Sequence, residues 1–130
     1  MTSLRWPSSA WPLLLAFMLG CSRPDTVEVT GTVTWEGAPI PHGEVAFFSV
    51  DPHIPAAAGR ISDGTFQFRS KPGQKRVEIR SVRLSKKLTP QGRPIGEMYI
   101  PVRYNSESIL TEEVTLDGEN NFNFPLKLKP

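Results

Sequence analysis

From Val27 to Trp35 the chain keeps a strict two-residue rhythm. Val27, Val29, Gly31, Val33 and Trp35 fall on one side, and Glu28, Thr30, Thr32 and Thr34 on the other. Only a strand turns successive side chains to opposite faces, so this stretch is expected to be a strand with one buried and one wet face. Such a strand needs a sheet around it and a second layer over its apolar side. No segment after Cys21 carries sustained helical periodicity, and the remaining apolar runs are short and bounded by Gly and Pro. The chain is thereby confined to an all-β architecture.

The punctuation predicts where the other strands lie. Glu36-Gly37-Ala38-Pro39 has turn chemistry, Gly tolerating positive φ and Pro fixing its own, and an apolar run from Glu44 to Val50 follows, which predicts a hairpin with the first strand. Ser62-Asp63-Gly64-Thr65 separates Gly59–Ile61 from Phe66-Gln67-Phe68 as a second hairpin. After Lys71-Pro72-Gly73, Val77 and Ile79 share a parity that switches to Val82 and Leu84, as at a bulge near Arg80-Ser81. Ser85 to Glu97 is polar, basic and broken by Pro90, Gly92, Pro94 and Gly96, which reads as a long loop. Leu110, Glu112 and Val114, with Leu116 near, give one further strand. After Asp117-Gly118-Glu119-Asn120, the residues Phe122, Phe124, Leu126 and Leu128 give the last. About seven short strands without helix predict a single antiparallel β-sandwich over residues 27–130. Pro125 cannot donate to a ladder, so its strand is expected at an edge.

The N-terminus carries an address. Arg5 precedes an apolar run, Trp11 to Leu19, that is shorter than the roughly 20 residues of a membrane span and contains Pro12. Met18-Leu19-Gly20-Cys21 resembles a lipobox, whose cysteine is acylated, palmitate being a typical chain, and becomes the new N-terminus. The expected division is a signal peptide over 1–20, a lipidated Cys21 with a tether to residue 26, and the sandwich beyond. Cys21 is the only cysteine, so it closes no intrachain disulfide. Removing 1–20 leaves 110 residues, enough for one core without disulfide or metal staples. It also leaves 14 basic and 13 acidic residues, a balance that predicts no nucleic-acid partner.

Gly31-Thr32-Val33-Thr34-Trp35-Glu36-Gly37-Ala38-Pro39-Ile40-Pro41-His42-Gly43-Glu44-Val45-Ala46-Phe47 resembles the opening of carboxypeptidase-regulatory-like, or transthyretin-like, domains in small bacterial lipoproteins of the planctomycete type. Ala58 to Phe66, Lys71-Pro72-Gly73, Ile100 to Asn105 and Asn121 to Phe124 are similar to that family's later landmarks, in the same order. The resemblance implies a prealbumin-like, seven-stranded sandwich and no assigned chemistry. Gln74-Lys75-Arg76 stands where the family usually has Gly or Tyr. The ending Leu126 to Pro130 lacks the tetrapeptide of the transthyretin-like ureide hydrolases.

The ingredients for catalysis are few. An acylated Cys21 offers no thiol, no serine lies in a nucleophile-elbow setting, and Glu112 and Glu113 are adjacent on a strand and point apart. His42, Glu44, Asp51 and His53 are the best metal ligands on offer. A strand of about 20 Å between the two histidines opposes their meeting unless the following loop folds back. Of Trp35 and the phenylalanines Phe47, Phe48, Phe66, Phe68, Phe122 and Phe124, most sit at core-facing parity, so the set reads as core packing rather than a sugar-stacking platform, and Tyr104 reads as an anchor for a loop crossing between sheets.

Charge is unevenly spread. Ten basic residues lie between Arg60 and Arg93 against Asp63 and Glu78. Lys71, Lys75, Arg76, Lys86, Lys87 and Arg93 are therefore expected to share a face towards an anionic membrane or polymer. No cofactor is implied. The function expected is a lipid-anchored cell-envelope protein, on the cell or outer membrane and facing the periplasm or exterior, with a structural or adhesion role. An accessory or ligand-binding module of another envelope protein is the alternative, and a metal-dependent enzyme the remotest reading.

Overall fold

The computed structural model describes residues 2, 3 and 25–130, so the lipobox and Cys21 lie outside the described residues. Ten strands follow in order: β1 (Val27–Trp35), β2 (Ala38–Pro39), β3 (His42–Ser49), β4 (Ala57–Ser62), β5 (Thr65–Ser70), β6 (Gly73–Arg80), β7 (Val82–Leu88), β8 (Pro94–Met98), β9 (Thr111–Val114) and β10 (Asn121–Leu126). The main sheet runs β10-β1-β5-β4-β3-β6-β9, with β2 beside β1, while β7 and β8 form a separate two-stranded ribbon. A single 3-10 turn, Val102–Tyr104, breaks the all-β pattern among the described residues.

The sheet curls over its own core. Phe47 on β3 meets Phe68 on β5 edge-on, with ring centroids 5.0 Å apart, and Phe122 on β10 at 5.8 Å. Three strands separate β3 from β10 in the hydrogen-bonded order, and β4 pairs with β5 only at Ile61–Phe66 and Ser62–Thr65, so one wing of the sheet faces the other, as in a sandwich. Val29, Val33, Val45, Ile61, Phe66, Val77, Ile79, Val114, Phe124 and Leu126 fill the space between. Gly31 makes the closure sterically feasible, since a Cβ there would collide with the Phe122 carbonyl oxygen and the Phe66 ring.

The first strand and the Ser62–Thr65 hairpin form as the sequence predicts. Asp63 and Gly64 take φ of 50° and 79°, which suits a two-residue hairpin loop. Four expectations need correction. β1 and β3 do not pair as a hairpin. β1 pairs with β5 and β10, while β3 pairs with β4 and β6, so the Glu36–Pro39 turn carries the chain from one wing to the other. The parity change at Arg80-Ser81 is the point where the chain leaves the main sheet, not a bulge within it. Ser85 to Glu97 is largely ribbon, because Thr89 to Gly92 forms its turn. There Gly92 N–H bonds Thr89 O at 2.8 Å, and Arg93 N–H bonds the Thr89 hydroxyl at 3.1 Å. Finally, β10 runs parallel to β1, although it is the edge strand that Pro125 required.

The register also sets two ends to the sandwich. Val27 pairs with Ser70, Gly73 with Val114 and Ser49 with Lys75 at one end; His42 pairs with Ser62 and Glu44 with Arg80 towards the other. The chain enters at the first end, and the ribbon leaves from the second.

Lys75 lies at the entry end with the parity of the core, 1% exposed, and its ammonium donates to Ser49 Oγ at 2.6 Å. Burial, and secondarily the charge of Lys71, lowers its pKa from the ordinary lysine value. The folded state therefore holds this proton less well than the unfolded chain does. The resulting cost is fully present below the lowered folded pKa and is relieved as pH rises from that value towards about 10.4.

Two tests follow from the packing. Phe124→Ala, which empties a buried ring site, should cost about 3 to 5 kcal/mol, whereas Asn123→Ala on the wet face should cost under about 1 kcal/mol. Denaturant melts of residues 22–130 measure both, and equal losses would contradict the inward parity of β10. Lys75→Met keeps the stem and removes the ammonium, so it should raise stability at pH 7 by about 1 kcal/mol. That advantage should shrink as melts are repeated towards pH 10, and a constant or growing advantage would refute a depressed Lys75 pKa.

Candidate functional site

The β7–β8 ribbon is the part of the fold that the sandwich leaves uncovered. Its root is fastened: Ser81, buried, donates to His42 O at 2.6 Å and accepts from the Tyr99 hydroxyl at 3.0 Å, while His42 Nε2 lies 2.8 Å from Val82 O. Tyr99 stacks edge-on against Trp35, and the Arg83 guanidinium covers its ring at 4.9 Å. These contacts aim the chain away from the main sheet at Val82.

Beyond the root, pairing decides which side chains share a face. Val82 opposes Met98, Leu84 opposes Gly96 and Leu88 opposes Pro94, so Val82, Leu84, Leu88, Pro94 and Met98 form one apolar row. The row faces solvent: Leu84 is 73%, Leu88 60%, Met98 51% and Val82 42% exposed. Arg83 and Glu97 oppose one another on the other face, and Lys86 and Lys87 sit where the register slips between Leu84 and Leu88. With Arg93 in the turn segment, the ribbon carries four cations and one carboxylate.

The six basic residues expected to act together are therefore dispersed. Lys71 sits at the entry end, next to Ser70. Lys75 is buried and unavailable to any surface, because its position in β6 has the inward parity of Val77 and Ile79. Arg76 lies on the outer face of β6, stacked over Phe48 at 5.0 Å and 3.6 Å from the Glu78 carboxylate, which Arg80 approaches from its other side at the same distance. Lys86, Lys87 and Arg93 belong to the ribbon. Between its root and the outer face of β3 and β6 lies an open groove of about 430 Å³, bordered by Glu44, Arg60, Arg80 and Val82.

The metal-ligand set does not assemble. His42 opens β3 and points at Val82 O, Glu44 lies two residues on, and Asp51 and His53 lie past the strand's far end. Asp51 accepts from the His53 backbone N–H at 2.9 Å and contacts its ring at 3.1 Å, which holds the exposed carboxyl below its ordinary pKa. That pair is a local turn. Among the described residues no three His, Cys, Asp or Glu side chains group as ligands.

Glu112 opposes Lys75 in register but makes no ion pair with it, and burial raises its carboxyl pKa. Glu113 is exposed on the other face, near Gln74. The Lys75–Ser49 contact has the elements of a nucleophile and base, yet the neighbouring Val50 N–H is bonded to Gln74 O and so is not free to hold an oxyanion. Tyr104 does anchor a crossing: its hydroxyl bonds the Lys127 backbone at 3.2 Å, and Arg103 lies over its ring while reaching the Lys127 and Leu128 carbonyls.

The ribbon was hidden in the sequence because its apolar residues do not alternate cleanly through the slip at Lys86-Lys87. The usable signal was the turn chemistry of Thr89-Pro90-Gln91-Gly92 between two short apolar pairs.

No model of a known protein family and no curated protein matches this chain. Among solved structures it is similar to a 9R-lipoxygenase from Cyanothece PCC8801, with 12% identity over 80% of this chain and 16% of that chain. The TM-score is 0.38, a level at which the likeness carries no argument about fold or activity.

Proposed function

We propose that the chain is a non-enzymatic, lipid-anchored protein of the cell envelope with a structural or adhesive role, held on the membrane by Cys21 and facing the periplasm or exterior. The observation that carries this reading is the start of β1 at Val27. Ser22 to Thr26 is then the whole tether and spans at most about 17 Å, so a folded body follows the lipobox almost directly. The signal-like segment and its terminal Gly20-Cys21 supply the rest of the support. The likeness to carboxypeptidase-regulatory-like lipoproteins belongs to the same reading.

A second reading, an accessory or ligand-binding module of another envelope protein, is favoured by the ribbon, whose apolar row is exposed among the described residues.

Cys21→Ser tests the anchor. The variant should lose acylation and either accumulate unprocessed or leave the membrane fraction after a carbonate wash, as followed by fractionation and intact mass. Retention in the washed pellet with unchanged mass would overturn the lipoprotein reading.

A further inference from the structure

A two-stranded ribbon is marginal in water by itself, and this one exposes a continuous apolar row. Rows of this kind on soluble domains mark surfaces that another body covers. Three occupants can be weighed on the residues present. A second copy of the chain would bring Arg83, Lys86, Lys87 and Arg93 against the same four cations, and lysines on an exposed edge are a device that opposes such pairing. A protein partner with a specific epitope needs directional polar groups to read, and the row from Val82 through Leu84, Leu88 and Pro94 to Met98 offers none. An anionic bilayer matches both halves of the ribbon. Apolar side chains enter the interface while long basic side chains keep their charged ends among the head groups.

We infer that the β7–β8 ribbon is an interfacial membrane-binding element for anionic lipid, its apolar row buried at the head-group boundary and Lys86, Lys87 and Arg93 supplying the charge attraction. The inference extends the envelope reading by adding a second attachment. The tether enters beside Val27 at one end of the sandwich and the ribbon leaves beside Arg80 at the other. Both reach one bilayer when the long axis of the domain lies along the membrane plane. The short tether holds the first end close, and the ribbon, roughly 20 Å long, lays down the second.

The binding element is separable from the anchor. Among the described residues the hydrophobic core lies between Val29 and Leu126, so a fragment of residues 22–130 keeps every residue of that core and lacks Cys21. Flotation of this fragment with vesicles of phosphatidylglycerol and phosphatidylcholine, against vesicles of phosphatidylcholine alone, should give salt-sensitive binding to the first only. Lys86→Gln with Lys87→Gln should weaken that binding roughly 25-fold, about fivefold for each charge removed near the surface. Leu84→Asn with Leu88→Asn should weaken it by at least about tenfold, since both leucines leave the interface. Lys71→Gln with Arg76→Gln removes the same charge away from the ribbon and should change binding less than about twofold. Unchanged melting temperatures for the ribbon variants establish that the fold is intact, all four altered side chains being exposed.

Equal binding to neutral vesicles, no binding to either, or equal losses from the control and ribbon variants would each overturn the inference. So would leucine variants that bind like the parent, or a dimer in light scattering that Leu84→Asn dissolves. Because the fragment has no anchor, these results are independent of the Cys21→Ser outcome.

Discussion

The fold depends on aromatic closure around Phe47. That ring touches Phe68 and Phe122, Phe68 touches Phe66, and Phe66 stacks on Phe124 at 6.0 Å, so five rings link β3, β5 and β10 into one body. A seven-strand path left flat would expose one side of every strand. Curled about these rings, it buries both wings against each other, and each ring pair adds about 1 kcal/mol beyond its area. The absent side chain at Gly31 is part of the same arrangement, because the Phe66 ring takes up its space.

Closure of the body determines where the ribbon stands. The interior strands of the path pair on both edges over part of their length, and after Arg80 the chain leaves the main sheet at the end opposite the start of β1. Ser81 and Tyr99 then turn it outward, with Trp35 packed beneath Tyr99. Lys75, at the opposite end, shows the inverse situation, a charge retained at an inward position because its ammonium reaches the half-buried Ser49 at the rim.

Where side-chain parity alone determined the outcome, the sequence was legible. β1, the Ser62–Thr65 hairpin, the inward row of β10 and the edge position imposed by Pro125 could each be read from neighbouring residues. Pairing between distant strands could not, which is why a β1–β3 hairpin was expected where the chain crosses between wings: a turn signal reports that the chain bends, not which strand it meets next. The ribbon escaped for a different reason, since the register slip at Lys86-Lys87 breaks the alternation by which strands are recognised. Lys75 was misassigned to the surface by residue type, although its parity with Val77 and Ile79 already pointed inward. The sharing of one face by six basic residues was a three-dimensional proposition that linear charge density could not decide.

The parallel pairing of β10 with β1 has a consequence in time as well as space. Thr30 and Asn121 stand opposite one another in adjacent strands and bond through their side chains across 91 residues of chain. The first strand described is thus completed by the last, and Phe122 and Phe124 reach the aromatic cluster only when β10 is present. Long-range closure of this kind slows folding, because much chain entropy must be lost before the contacts that compensate for it can form. On the proposed export route that delay is useful: a chain still threading through a narrow translocation channel cannot lock into its final shape, and the sandwich can close only after β10 has crossed.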